Sequence, residues 1–209
     1  MTAFNVCAYF NSLPDDVESI DISNRNLKYV PPLDRFTKLK RFNCSDNQIF
    51  MLPVLPKSLI ELNCEHNSIF SFPASLPPNL EELYCSYNHL DWLPHLPNTL
   101  RNLWCHNNDI LELPDLPREL RYLICESNRL EYLPCLPQKL IKLICANNAI
   151  TYLPMLPPNL EVMWCDNNKI IYFPEFPETM RLIHYTRFPG MKCPRFPEGA
   201  LVSYEEPYM

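Results

Sequence analysis

A cysteine returns about every twenty residues along most of this chain. It stands at positions 44, 64, 85, 105, 125, 145 and 165, with gaps of 20, 21, 20, 20, 20 and 20. Around it most units read L-x-x-L-x-C-x-x-N-x-[IL]-x-x-[LF]-P-x-[LF]-P-x-x, as in LRYLICESNRLEYLPCLPQK at 120–139. The one longer gap comes from an extra residue in FPASLPPN at 72–79. A unit this short cannot bury its own apolar face, so identical units must stack into one continuous core.

Degenerate units flank the regular ones. VESIDISNRNLKYVPPL places Ile22 at the cysteine position and Arg25 at the asparagine position. MRLIHYTRF places Tyr185 at the cysteine position and then loses the pattern. The chain therefore divides into an N-terminal cap (1–16), a repeat array (17–185, with seven regular units over 39–179) and a C-terminal cap and tail (186–209). Phe4, Val6, Tyr9, Phe10 and Leu13 are expected to cover the first turn, and an acidic tail from Ser203 to be mobile.

Within L-x-x-L-x-C the last three residues predict a short strand, because successive side chains must alternate between faces. Leu123 and Cys125 then point inward and Ile124 outward. Asn128 and its equivalents are expected to turn the chain and bond free backbone groups of neighbouring turns. The LPCLP half has fixed φ and few donors, so it should be extended or 3₁₀. The expected fold is a mostly β, α/β-type solenoid: a horseshoe with a parallel concave sheet of about nine strands and a convex side of extended or 3₁₀ segments. Cysteine is a small, readily buried side chain that suits an inner column. No C-x-x-C occurs, so the usual zinc spacing is missing and no metal or cofactor is expected.

The repeat resembles the leucine-rich repeat family. The short unit with paired LP…LP looks like the class found in secreted effectors of enteric bacteria. It also looks like arrays encoded by amoeba-associated microbes and their large DNA viruses. The resemblance covers about residues 17–185. It implies a non-catalytic protein-binding surface, in a host–pathogen or viral context. Some relatives carry a ubiquitin-ligase domain with a catalytic cysteine after the repeats; residues 186–209 are too few for one.

Composition narrows the partner. Net charge is −6, with no run of lysine or arginine, which speaks against nucleic acid. No stretch approaches the roughly 20 apolar residues of a membrane helix, and MTAFNVCAYFNSLPDD has neither the basic start nor the apolar run of a signal peptide. All ten cysteines are expected to be free, in the cytoplasm or another reducing compartment of a host cell or virion.

The outward strand position names the candidate site. It reads Asp21, Asn43, Asn63, Tyr84, Trp104, Ile124, Ile144, Trp164 and His184 along the array. The apolar run from Tyr84 to Trp164 spans about 19 Å at strand spacing. Tyr87, His106, Tyr122, Val162 and Leu182 adjoin it. Tyr and Trp are common binding hot spots, so these ten residues are the expected partner-binding surface. A homo-oligomer or particle that buries the same stripe is the alternative. A second stripe (Tyr29, Met51, Ser71, Trp92, Glu112, Tyr132, Tyr152, Tyr172) is expected to pack on neighbouring loops with its hydroxyls in water. The five histidines share no triad spacing and no glycine-rich phosphate loop exists, so no catalysis is expected.

Overall fold

The computed structural model describes residues 4–189, 191 and 194–207. Gly190 and Cys193 lie outside them. Ten strands form one sheet in strict chain order: β1 (Ser19–Asp21), β2 (Arg41–Asn43), β3 (Glu61–Asn63), β4 (Glu82–Tyr84), β5 (Asn102–Trp104), β6 (Tyr122–Ile124), β7 (Lys142–Ile144), β8 (Val162–Trp164), β9 (Leu182–Thr186) and β10 (Leu201–Glu205). Every neighbouring pair is parallel, and equivalent residues face each other: Asn63, Tyr84, Trp104, Ile124, Ile144, Trp164 and His184 form one row. Equal unit length is what makes this possible, since each turn brings the chain back to the same register.

The core is a single continuous stack. The middle residue of each strand from β1 to β8 is buried, as is Ile183 in β9, and so is each column cysteine. The column thiols have no route to bulk water, and several donate to the next strand's carbonyl, as Cys85 Sγ does to Trp104 O at 3.3 Å. Burial pushes the Cys105 thiol up to about 12, and moves its column neighbours upward for the same reason. The nine cysteines among the described residues are free thiols, with only Cys7 and Cys135 exposed.

Each turn leaves backbone groups inside the core that the parallel ladder does not reach. An asparagine three places after each column cysteine serves them. Asn108 Nδ2 donates to Cys85 O (3.1 Å) in the preceding turn and to Cys105 O (3.1 Å) in its own. Its Oδ1 accepts from Leu90 N at 3.0 Å. Asn67, Asn88, Asn128, Asn148 and Asn168 repeat these contacts, and Asn47 starts the spine by gripping Ile22 O, Arg25 N and Leu27 N. The residue just before each asparagine has φ between 51° and 56°, at Asp46, His66, Tyr87, Asn107, Ser127, Asn147 and Asn167. Asn, Asp and His tolerate this left-handed region better than most residues, which lets the array turn without glycine.

The convex side is extended. No 3₁₀ helix occurs among the described residues; a single turn closes each P-x-x-L, as in Leu100 N→Pro97 O at 3.0 Å. At the N-terminus, α1 (Val6–Ser12) is capped by Asn5, whose side chain accepts from Ala8 N at 3.0 Å. Val6 and Phe10 are buried, and Phe10 packs edge-on to Phe36 at 5.6 Å. Arg35 clamps the cap by donating to Phe10 O, to Leu13 O (3.1 Å) and to Asp15 (2.6 Å).

The C-terminal end corrects the expectation of a mobile tail from Ser203. Leu201–Glu205 is a tenth strand, paired with Leu182–Thr186. Tyr185, Phe173, Phe176 and Phe196 close the core beneath it, with ring centroids 5.2–5.9 Å apart. Large rings here fill the space that Leu and Cys fill in the regular units.

Replacing Asn108 with leucine keeps volume but strands Leu90 N and Cys85 O in the core. The expected loss is about 3 kcal/mol, read as a lower denaturation midpoint at unchanged slope. In a Cys193→Ser variant, an aqueous thiol reagent is expected to modify two cysteines (Cys7 and Cys135) in the native state and the column only after unfolding. Rapid native modification of a third thiol would contradict the sealed core.

Candidate functional site

The outward row is presented by strands three residues long, so each contributes one central inward leucine (or Phe, Met or Ile) between two outward residues. The apolar run occupies five consecutive strands, β4 to β8, with no polar residue interrupting it. Trp104 and Trp164 are 36% and 41% exposed. Tyr84 is half-buried, its ring edge-on to Trp104 at 5.0 Å and its hydroxyl donating to Glu82. Burial and the Glu82 carboxylate push the Tyr84 phenol up to about 12, so it stays a donor. Ile124 is half-buried.

Ile144 departs from the expectation of an exposed contact. It is 4% exposed. It supports the surface rather than forming it. The flanking residues are accessible: Tyr87 and Tyr122 are exposed, and His106, Val162 and Leu182 are half-buried. Tyr122 and Val162 flank Lys142 in the row beside the stripe.

Tyr87 combines a left-handed φ of 55° with a bulky side chain, the costliest of the seven such positions. Its ring is held between two histidines, stacked on His66 at 4.2 Å and edge-on to His106 at 5.1 Å. His106 Nδ1 meets Ser86 Oγ at 2.7 Å, and Ser86 also hydrogen-bonds Glu65. Ser86 is fully buried, so this Glu–Ser–His chain offers no accessible nucleophile. Burial lowers the His106 pKa and raises that of Glu65.

The second stripe is more open than expected. Met51, Trp92, Tyr152 and Tyr172 are 56%, 45%, 58% and 76% exposed. Phe50, Phe70, Leu111 and Ile171, one position earlier, widen it into a ridge along the loop edge. The signal was present as IFMLP, IFSFP, ILELP and IIYFP, where a second apolar residue precedes or replaces the aromatic one. Tyr132 donates its hydroxyl to Glu112 within the ridge at 2.7 Å, and the Tyr29 hydroxyl meets Cys7 Sγ at 3.4 Å.

A histidine with a folded-state pKa below its unfolded value contributes stability above the unfolded pKa of about 6.5, and that stability is lost as pH falls through the folded value. The wild type is therefore expected to lose melting temperature relative to His106→Gln between pH 7.5 and 5, measured by parallel thermal melts. Equal slopes would show that His106 does not sense the buried environment.

The comparisons with known proteins follow this geometry. The family model described as Leucine Rich Repeat matches residues 79–103. Among curated proteins none matches the chain. Of solved structures, YopM from Yersinia enterocolitica is similar at 28% identity and a TM-score of 0.80, over 93% of this chain and 52% of that one. The chain thus spans about half the length of that structure. A Shigella effector leucine-rich repeat domain is similar at 28% identity and a TM-score of 0.56, over 86% of this chain and 71% of that one. The functional domain of InlJ from Listeria monocytogenes, described as including a cysteine ladder, shares the fold at 24% identity and a TM-score of 0.68, over 81% of this chain and 39% of that one. No helix among the described residues is long and apolar enough to cross a membrane. With its in-register parallel strands, asparagine spine and matching unit, the chain has the leucine-rich repeat fold and is similar to bacterial effector repeats.

Proposed function

We propose that the chain is a non-catalytic module that docks another protein on its concave face. The leucine-rich repeat fold is typically an interaction scaffold of this kind. The observation that carries the reading is the unbroken apolar row over β4–β8 with two indoles more than a third exposed. Solvent-exposed indoles are costly on a surface with no contact to make, and they are the residues that dominate interface energies. Around the row, Glu61, Glu65, Glu82, Glu126 and Asp166 outnumber Arg41 and Lys142. The matching partner has an apolar centre and a basic rim. The likeness to effector repeats supports a host protein as that partner, met in a reducing compartment where the nine described free thiols are at home.

Self-association is the second reading, and the exposed ridge from Met51 to Tyr172 favours it. An apolar edge of that length on a monomer is a contact surface for a second copy.

Light scattering on the wild type and on Trp104→Ala/Trp164→Ala separates the two. A docking module is expected to be monomeric in both forms, and the double variant to lose at least about 30-fold in affinity for a partner recovered with the wild type, as two hot-spot losses imply. A wild-type oligomer that Trp92→Ala/Tyr152→Ala splits, while Trp104→Ala/Trp164→Ala leaves it whole, would establish the second reading. A partner that binds the concave double variant unchanged would refute the first.

A further inference from the structure

At the C-terminal end of the concave face, ligand-type side chains from three successive turns converge. Asp166 follows β8, His184 lies in β9 and Glu205 closes β10. Their ligating atoms all lie within 4.8 Å of one another. His184 Nε2 stands 3.8 Å from Asp166 Oδ1 and 3.7 Å from Glu205 Oε1. Charge-assisted hydrogen bonds close to about 2.7–2.9 Å, so these are not such bonds. One N–H could serve only one of the two carboxylates in any case. The separations instead approach the edge of about 3.4 Å expected for nitrogen and oxygen ligands arranged tetrahedrally at about 2.1 Å from zinc.

The other imidazole nitrogen is already engaged. His184 Nδ1 lies 2.7 Å from Ser203 Oγ, in the neighbouring strand. A hydroxyl accepting from Nδ1–H leaves the Nε2 lone pair aimed between the carboxylates. Metal-bound histidines are oriented in this way by an outer partner.

Asp166 is an independent indication. It is 7% exposed, and the donor to its carboxylate from a side chain is the Asn167 amide at 3.4 Å. A buried carboxylate facing a second one is unfavourable unless a cation lies between them. Two carboxylates and a neutral imidazole carry two negative charges, matching a divalent ion. The mixed nitrogen and oxygen set suits transition metals better than calcium, which takes oxygens alone.

We propose that Asp166, His184 and Glu205 bind a divalent transition-metal ion, with Ser203 as the positioning residue for His184. The ion ties together the turns that carry β8, β9 and β10. The ligands are spaced 18 and 21 residues apart, close to one repeat each, so they meet only once the solenoid is wound.

The test is calorimetric titration of the full chain with zinc, in a background where Cys7, Cys135 and Cys193 are serine so that no thiol outside the column competes. One equivalent is expected to bind and to raise the melting temperature. Asp166→Asn, His184→Gln and Glu205→Gln are each expected to weaken binding at least 10-fold, and Ser203→Ala about 10-fold through the lost outer contact. Cobalt should give an absorption spectrum without a thiolate charge-transfer band. Circular dichroism of each variant confirms that a lost site is not a lost fold. Any of three results overturns the proposal: no zinc binding to the folded protein, binding that survives all three ligand variants, or calcium bound as tightly as zinc with no dependence on His184.

Discussion

Everything in this solenoid depends on the asparagine spine. A parallel sheet of three-residue strands bonds only a small part of each turn, and the chain must then bend sharply back over its own core. That bend leaves the carbonyl of the cysteine, and an amide five residues on in the same turn, to be met by an asparagine of the following turn. One carboxamide has the right inventory for them, two donors and an acceptor on a single planar group. Asn128 reaches Cys105 O in one turn, Cys125 O in its own and Ile110 N on the way out. The bonds to Cys105 O and Ile110 N join one turn to the next, so the spine sets the stacking direction as well as satisfying the bend.

From the spine follows the register, and from the register the surface. Because every turn returns to the same place, a periodic position in the chain becomes a row of side chains about 4.8 Å apart. Residues far apart in sequence then act as one patch. The Tyr84 to Trp164 row and the Asp166, His184 and Glu205 group are both products of this winding. The tight turn has a cost of its own, the left-handed residue before each asparagine. Most units fill it with Asn, Asp, Ser or His; Tyr87 fills it with a ring that two histidines hold in place.

The array was legible because its signals are redundant. Seven cysteines, seven asparagines and the paired prolines all report the same period, and inward or outward direction follows from strand alternation alone. The ends were less legible. PEGALVSYE carries the outline of another unit, with Leu201 facing Leu182 at a spacing of 19. Its inward positions, Val202 and Tyr204, lack the leucine and cysteine that mark the others. The exposed ridge was underweighted because a lone tyrosine on a loop usually folds onto its neighbours, and here adjacent turns leave Met51, Trp92 and Tyr172 standing clear.

The sequence by itself determined the solenoid, its parallel sheet, its inner cysteine column and the identity of the outward row. Periodicity suffices for these, since they depend only on which residues repeat and on the two-sided pleat of a strand. Tertiary structure decided how accessible each outward residue is, burying Ile144 while leaving Trp104 and Trp164 open. It also turned the last residues into β10 and brought Asp166, His184 and Glu205 within ligand distance. These outcomes depend on side-chain size and direction across neighbouring turns, which no single unit of the sequence contains.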